Sequence, residues 1–294
     1  MDHANVAQRR GSNQTQSMVI LDRRLVRPNA VIAFSDSGAP GMPVVLTHGA
    51  GLDHTMFDSL AAGLIRNGFR IIMWDLRGHG ESTLAPGARF AAEETLEDLS
   101  ALLDECEVRT AVLMGHSLGG NLVQAFARAH PARVRGAIVL DATWNAGPLS
   151  RLERAALALA APILTLIPTR RLPLLMARAS ASTPTAVART EELFARMPKA
   201  RFVDVWRATT AFVTPSPRPH RLGVPLALLR GEKDRTGNIA TAMPRWAAAE
   251  GIDEYIIPNA GHVVTWDAPE ETAAAVMEIV EVWRTAGAAQ ADDV

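Results

Sequence analysis

Ser117 is the residue around which this chain's chemistry can be assembled. It lies at the centre of Gly115-His116-Ser117-Leu118-Gly119, after the apolar run Ala111–Met114 and before Leu118, Leu122, Val123 and Phe126 at helical spacing. The run reads as a buried strand and the spacing as a helix, so the serine falls on a strand–turn–helix junction. So sharp a turn strains the backbone, and Gly115 and Gly119 keep bulky side chains out of it. The turn lifts the hydroxyl above the sheet edge and sets it at a helix N-terminus, where N–H groups favour negative charge. Such a serine is placed to attack a carbonyl carbon.

A serine hydroxyl needs a general base, normally a histidine oriented by a carboxylate. Of the eight histidines, His3 lies in the polar start, His116 adjoins the serine, and His79 belongs to a Gly-flanked loop. His262, in Asn259-Ala260-Gly261-His262, directly follows the last expected strand and is the best base. Two aspartates end strands on the same edge. Asp234 lies in Arg230-Gly231-Glu232-Lys233-Asp234, and Asp141 closes the strand after the elbow helix. The order Ser117, Asp234, His262 suits this type of elbow and favours Asp234, with Asp141 as the alternative. The oxyanion of a tetrahedral intermediate needs donors, each contributing about 3–4 kcal/mol. The backbone N–H of Leu118 is one, and the N–H of Ala50, between Gly49 and Gly51, is the natural second.

The elements that must position these residues can be read along the chain. Strands are expected at Met18–Arg27, Ala30–Ser35, Pro43–Thr47, Phe69–Trp74, Ala111–Met114, Val134–Leu140, Pro225–Leu229 and Glu254–Ile257. Helices fall at about Met56–Asn67, Ala92–Glu107, after Ser117, at Ile239–Glu250 and at Pro269–Ala286, with Gly287 as a stop. This alternation predicts an α/β fold, a doubly wound, mostly parallel sheet with ligands at the carboxyl ends of its strands. Residues 143–220 break the alternation and show no convincing strand. The division expected is a disordered segment 1–17, a core of 18–142 and 221–287, a helical insertion 143–220, and a flexible tail 288–294.

Composition narrows the class. With 294 residues, 48% hydrophobic and net charge −1, the chain suits one globular α/β domain with an insertion, and nothing in that balance points to nucleic acid. The single cysteine, Cys106, excludes an intramolecular disulfide and reads as a partly buried structural thiol. The start lacks an apolar signal core, and the longest apolar run, Ala155–Pro168, is too short to span a bilayer and is interrupted by Pro162. A soluble, cytoplasmic protein is expected, and the sequence sets no oligomeric state. Residues 151–221 hold twelve basic and four acidic side chains, a net +8 against −9 for the rest. Such a segment could seat arginine stems over apolar surface or steer anionic substrates to the cleft.

In its motifs the chain resembles the α/β-hydrolase family. These are His48-Gly49, Arg77-Gly78-His79-Gly80-Glu81-Ser82, Gly115-His116-Ser117-Leu118-Gly119-Gly120, Gly231-Glu232-Lys233-Asp234 and Gly261-His262. The resemblance spans about residues 18–287. It implies that 143–220 forms a cap and that His48, Gly49, Gly115 and Gly119 shape the site without entering the chemistry. It further implies a cofactor-independent, metal-free serine hydrolase cleaving a small ester or lactone. The same triad would serve a carbon–carbon bond hydrolase, an enol-lactonase, a perhydrolase or an acyltransferase. A ligand receptor that retained the triad is the non-enzymatic alternative. Relatives that attack with an aspartate are excluded by Ser117, and the only tyrosine, Tyr255, lies outside the expected cap.

Overall fold

The computed structural model describes residues 19–216 and 221–292; the expected segment 1–17 lies outside them. In chain order come β1 (Arg23–Arg27), β2 (Ala30–Asp36), β3 (Pro43–Thr47), α1 (Asp58–Arg66), β4 (Arg70–Trp74), β5 (Thr83–Leu84), α2 (Ala92–Glu105) and β6 (Ala111–His116). Then follow α3 (Leu118–Ala129), β7 (Val134–Leu140) and four successive helices: α4 (Arg151–Leu166), α5 (Leu172–Ser180), α6 (Pro184–Arg196) and α7 (Lys199–Phe212). The chain closes with β8 (Leu226–Gly231), α8 (Ile239–Glu250), β9 (Glu254–Ile257), α9 (Val264–Asp267) and α10 (Pro269–Asp292).

All the strands join one sheet in the order β1-β2-β4-β3-β6-β7-β8-β9, with β5 added to β2. From β4 to β9 the neighbours run parallel, and β1, β2 and β5 form an antiparallel edge. The alternation of side chains explains its burial on both faces. Val44, Leu46, Ile71, Met73, Val112 and Met114 point into the layer holding α1 and α10, where they meet Leu60, Leu64, Val276 and Val280. Val45, Ile72, Trp74 and Leu113 point into the opposite layer with α2 and α3, against Leu99, Leu102, Leu122 and Phe126. From β3 the chain steps to β4 on one side and returns to β6 on the other. The loops leaving β3 and β6 therefore part in opposite directions and open a crevice at their carboxyl ends.

The four-helix insertion α4–α7 packs over that end of the sheet. Phe194 of α6 and Phe202 of α7 approach the loop after β3 so closely that a Cβ on Gly51 would sit 2.7 Å from one and 2.8 Å from the other. Gly51 itself has φ +74, a conformation that L side chains rarely adopt. The outer side of α4 leaves Leu152, Leu159, Ile163 and Leu166 exposed.

The structure refines the expected elements at three places. α10 does not stop at Gly287 but continues to Asp292, so most of the expected flexible tail is helical. The residues beyond Gly287, Ala-Ala-Gln-Ala, are strong helix formers and offset the roughly 1 kcal/mol cost of one glycine. The apolar run that Pro162 interrupts is nevertheless helical, with Pro162 inside α4. It is exposed, as is Ala158, so the carbonyl it leaves unpaired can turn to water. β1 begins at Arg23, because Leu21 is instead drawn into the core beside α1.

Candidate active site

Ser117 stands at the N-cap of α3 with φ +51 and ψ −115. Its N–H donates to the Leu140 carbonyl at 2.9 Å, and its own carbonyl accepts from Asn121 N–H at 2.9 Å, so the turn is held from both sides. The glycines expected on either side are sterically required. A Cβ on Gly115 would come within 2.2 Å of the Gly119 carbonyl oxygen, and one on Gly119 within 2.3 Å of that of Thr47. The residues around the serine are buried while Ser117 itself is half-buried. Leu118 is the first residue of α3, where N–H groups have no partner inside the helix.

The loop after β3 lies against the elbow. A Cβ on Gly49 would meet His116 Nδ1 at 2.5 Å and Ser117 Cβ at 3.2 Å, which places the Gly49–Ala50 backbone next to the serine. His48 is fully buried, donates from Nδ1 to the Gly49 carbonyl at 2.8 Å and accepts from Leu76 N–H at Nε2 at 2.9 Å. With both ring nitrogens engaged as one donor and one acceptor, it is a neutral strut between the loops after β3 and β4. Burial holds its pKa below the usual histidine value, in agreement with that tautomer.

His262 and Asp234 meet on the other side of the crevice. His262 Nδ1 donates to Asp234 Oδ2 at 3.0 Å, and Asp234 Oδ1 accepts from Thr236 N–H at 2.7 Å. Both side chains are almost wholly buried. Burial alone would raise the Asp234 carboxyl, but the charge and hydrogen bond of His262 outweigh it and bring its pKa down to about 2. Asp141, the alternative acid, does not face the imidazole in this way. Its Oδ1 accepts from Gly231 N–H at 2.8 Å, and one of its oxygens lies within 4.8 Å of both Asp234 and His262.

Three residues that sequence reasoning passed over also shape the site. His116 Nε2 donates to the His262 carbonyl at 2.7 Å, and the two rings lie 4.8 Å apart. Burial, and then the neighbouring His262, push the His116 pKa down to about 3, so it acts as a neutral prop. Asp267 of α9 accepts from Gly261 N–H at 2.8 Å and from Thr183 N–H at 2.7 Å, tying the loop that carries His262 to the insertion. The same connection is reinforced by His262 N–H, which donates to the Ser180 carbonyl at 2.7 Å. The third is His54, whose Nδ1 donates to Asp75 at 3.0 Å. Burial disfavours its charge, but Asp75 outweighs that and raises its pKa, pinning the chain just past Gly51. His116 was visible beside the serine, whereas nothing local signals the long-range partners of Asp267 and His54.

Arg77 and His79 are structural. Arg77 is buried and makes a two-pronged contact with Asp98 at 2.7 and 2.8 Å, while His79 packs against His48 and Phe90. Burial and His48 bring the His79 pKa down to about 3.

A mostly parallel sheet, helices on both faces and a strained serine at the switch point define a class, the α/β hydrolases. The chain belongs to the Alpha/beta hydrolase family, whose pattern its residues 44–275 match. Among curated relatives, it is 37% identical over 113 residues to the non-heme chloroperoxidase of Streptomyces lividans, covering 38% of this chain and 41% of that protein. It is 33% identical over 120 residues to the 2-hydroxy-6-oxononadienedioate/2-hydroxy-6-oxononatrienedioate hydrolase of Cupriavidus pinatubonensis, covering 40% of this chain and 41% of that protein. The matched stretch thus spans about two fifths of these relatives' length. Among solved structures, the esterase of Thermogutta terrifontis with malate bound superposes with a TM-score of 0.70 at 26% identity, covering 89% of this chain and 99% of that one. The protein is therefore an α/β hydrolase, similar to proteins named as an esterase, a non-heme chloroperoxidase and a 2-hydroxy-6-oxononadienedioate/2-hydroxy-6-oxononatrienedioate hydrolase. No helix among the described residues is long and apolar enough to cross a membrane.

Proposed function

We propose that the protein hydrolyses a carboxylic ester or lactone through an acyl-enzyme on Ser117. The observation that carries this reading is the buried His262–Asp234 hydrogen bond at 3.0 Å, brought to the sheet edge where Ser117 is held at φ +51. In this reading His262 Nε2 takes the Ser117 proton as the oxygen attacks the carbonyl carbon. Asp234 holds the Nδ1–H tautomer and stabilises the imidazolium that forms. The oxyanion is held by the N–H groups of Leu118 and Ala50, the first unpaired within α3 and the second in the loop pressed against the elbow. His262 then protonates the leaving alcohol, and a water, deprotonated by the same base, releases the acid. His48, Gly49, Gly115 and Gly119 hold this geometry without touching the reacting atoms. The helices α4–α7 act as a cap whose inner face, through Phe194 and Phe202, contributes apolar surface beside the oxyanion loop.

The test is covalent. A fluorophosphonate probe should label Ser117, as read by peptide mass, and abolish hydrolysis of p-nitrophenyl esters. A panel of esters, lactones and ring-cleavage diketones then separates ester from carbon–carbon cleavage. Absence of labelling and turnover, with tight binding of a small ligand, would instead make the protein a receptor.

A further inference from the structure

A second carboxyl group lies behind the His262–Asp234 pair, and its surroundings leave it one chemical role. Asp141 follows β7 with φ +44, a region that non-glycine residues enter rarely and aspartate more readily than most. Its side chain is fully buried. Oδ1 accepts from Gly231 N–H at 2.8 Å, while Oδ2 is buried without any conventional donor. One oxygen of Asp141, one of Asp234 and one ring nitrogen of His262 all lie within 4.8 Å of one another. The remaining charged group facing Asp141 is Arg230, whose guanidinium already serves Glu254 and the Gly231 carbonyl.

Two carboxylates this close and this dry cannot both be ionised. Asp234 has the stronger claim to the charge, since it accepts from both His262 and Thr236 N–H. We infer that Asp141 keeps its proton on Oδ2 and donates it to the Asp234 carboxylate, acting as a positioning residue behind the triad. The orphaned oxygen then has its partner, and the hydrogen bond fixes the rotamer in which Asp234 Oδ2 faces His262. Burial, followed by the charge of Asp234, raises the Asp141 pKa well above the usual carboxylate value, in agreement with a retained proton. A metal ion is a poor alternative, because a cation binding His262 Nδ1 would have to displace the proton shared with Asp234.

The inference rests on the hydrolase reading for its kinetic consequences but not for its thermodynamic one. Asp141→Asn keeps a neutral donor in place, and Asp141→Ala removes it. With a p-nitrophenyl ester, the Asn variant should stay within about threefold of the parent kcat, whereas the Ala variant should lose about tenfold at nearly unchanged KM. The acid limb of kcat/KM should not move in the Asn variant, since a neutral group replaces a neutral group. Melting temperature gives a readout independent of activity. A carboxyl whose pKa is raised by folding costs stability once pH exceeds its unfolded value, so the Asn variant should gain over the parent progressively as pH rises above about 4.

Three kinetic results would each overturn the inference: equal losses in the Asn and Ala variants, an acid limb displaced to lower pH by half a unit or more in the Asn variant, or inactivation by EDTA reversed by a divalent cation. A melting difference that does not grow with pH would also overturn it. A protein without turnover whose melting difference grows as expected would sink the hydrolase reading alone.

Discussion

A single methyl group at position 49 would test how tightly the crevice is built. The alanine Cβ would sit 2.5 Å from His116 Nδ1, and His116 cannot retreat without releasing the His262 carbonyl it holds at 2.7 Å. Gly49→Ala should therefore lower stability by about 1–3 kcal/mol, measured by denaturant melts, and reduce kcat more than it raises KM. At Asp234 the expected losses are electrostatic. Asp234→Asn should cost on the order of 10⁴-fold in kcat, because the imidazole loses the acceptor that fixes its tautomer. Its pH signature follows from a carboxyl lowered from 3.8 to about 2. The stabilisation is complete above the unfolded value near 3.8 and is lost as pH falls toward 2, so the parent's melting advantage over the Asn variant should shrink across that window. The elbow at Ser117 and the meeting of Asp234 with His262 could be anticipated from sequence because each residue sits in a short Gly-containing motif at the end of a strand. His116 and Asp141 were visible as residues, but their partners were not, since those hydrogen bonds come from residues 90 or more positions away.

At the scale of elements, α9 carries one of the connections between insertion and core. Asp267 gathers N–H groups from Gly261, Ser182 and Thr183, the last two in the link between α5 and α6. Asp267→Ala would leave those donors to water and free the loop carrying His262, at a cost of about 2–3 kcal/mol. Limited proteolysis should then cut first near residues 181–183, with a fall in kcat. Asp267→Asn, which keeps an acceptor, should restore part of both. The strands and helices of the core were legible because short continuous apolar runs mark the buried parallel strands and apolar positions at a period of 3.6 mark the helices. The ends were less so. Whether α10 stops at Gly287 is decided by the alanines that follow it, and whether Pro162 breaks α4 is decided by exposure, which no local pattern encodes. The insertion was recognised by its lack of strands, but its inner face, Phe194 against Phe202 at 5.2 Å above Gly51, needs the tertiary structure to be seen.

Across the whole molecule the two signs of charge are separated along the chain, with +8 on residues 151–221 and −9 on the rest. Several of the basic groups also have structural duties. Lys199 donates to the Thr165 carbonyl at 2.7 Å, Arg189 lies 5.9 Å over the Trp266 ring, and Arg201 reaches the Gly78 carbonyl at 3.3 Å. Fixing an arginine stem does not remove its charge, so these groups still contribute to the field over the crevice. Arg201 lies beside the loop after β4 and Arg196, paired with Glu192, is exposed at the end of α6, both on the side of the loop after β3. Attraction of an anionic ester by these arginines would be screened beyond about 8 Å at physiological salt. Raising salt from about 0.02 to 0.5 M should therefore lower kcat/KM for an anionic ester several-fold relative to a neutral ester of the same acyl length. The neutral ester corrects for any general effect of salt on the fold. A ratio that does not change with salt would confine these arginines to packing, and a ratio that rises with salt would make the acidic surface of the core the field that approaching substrates encounter.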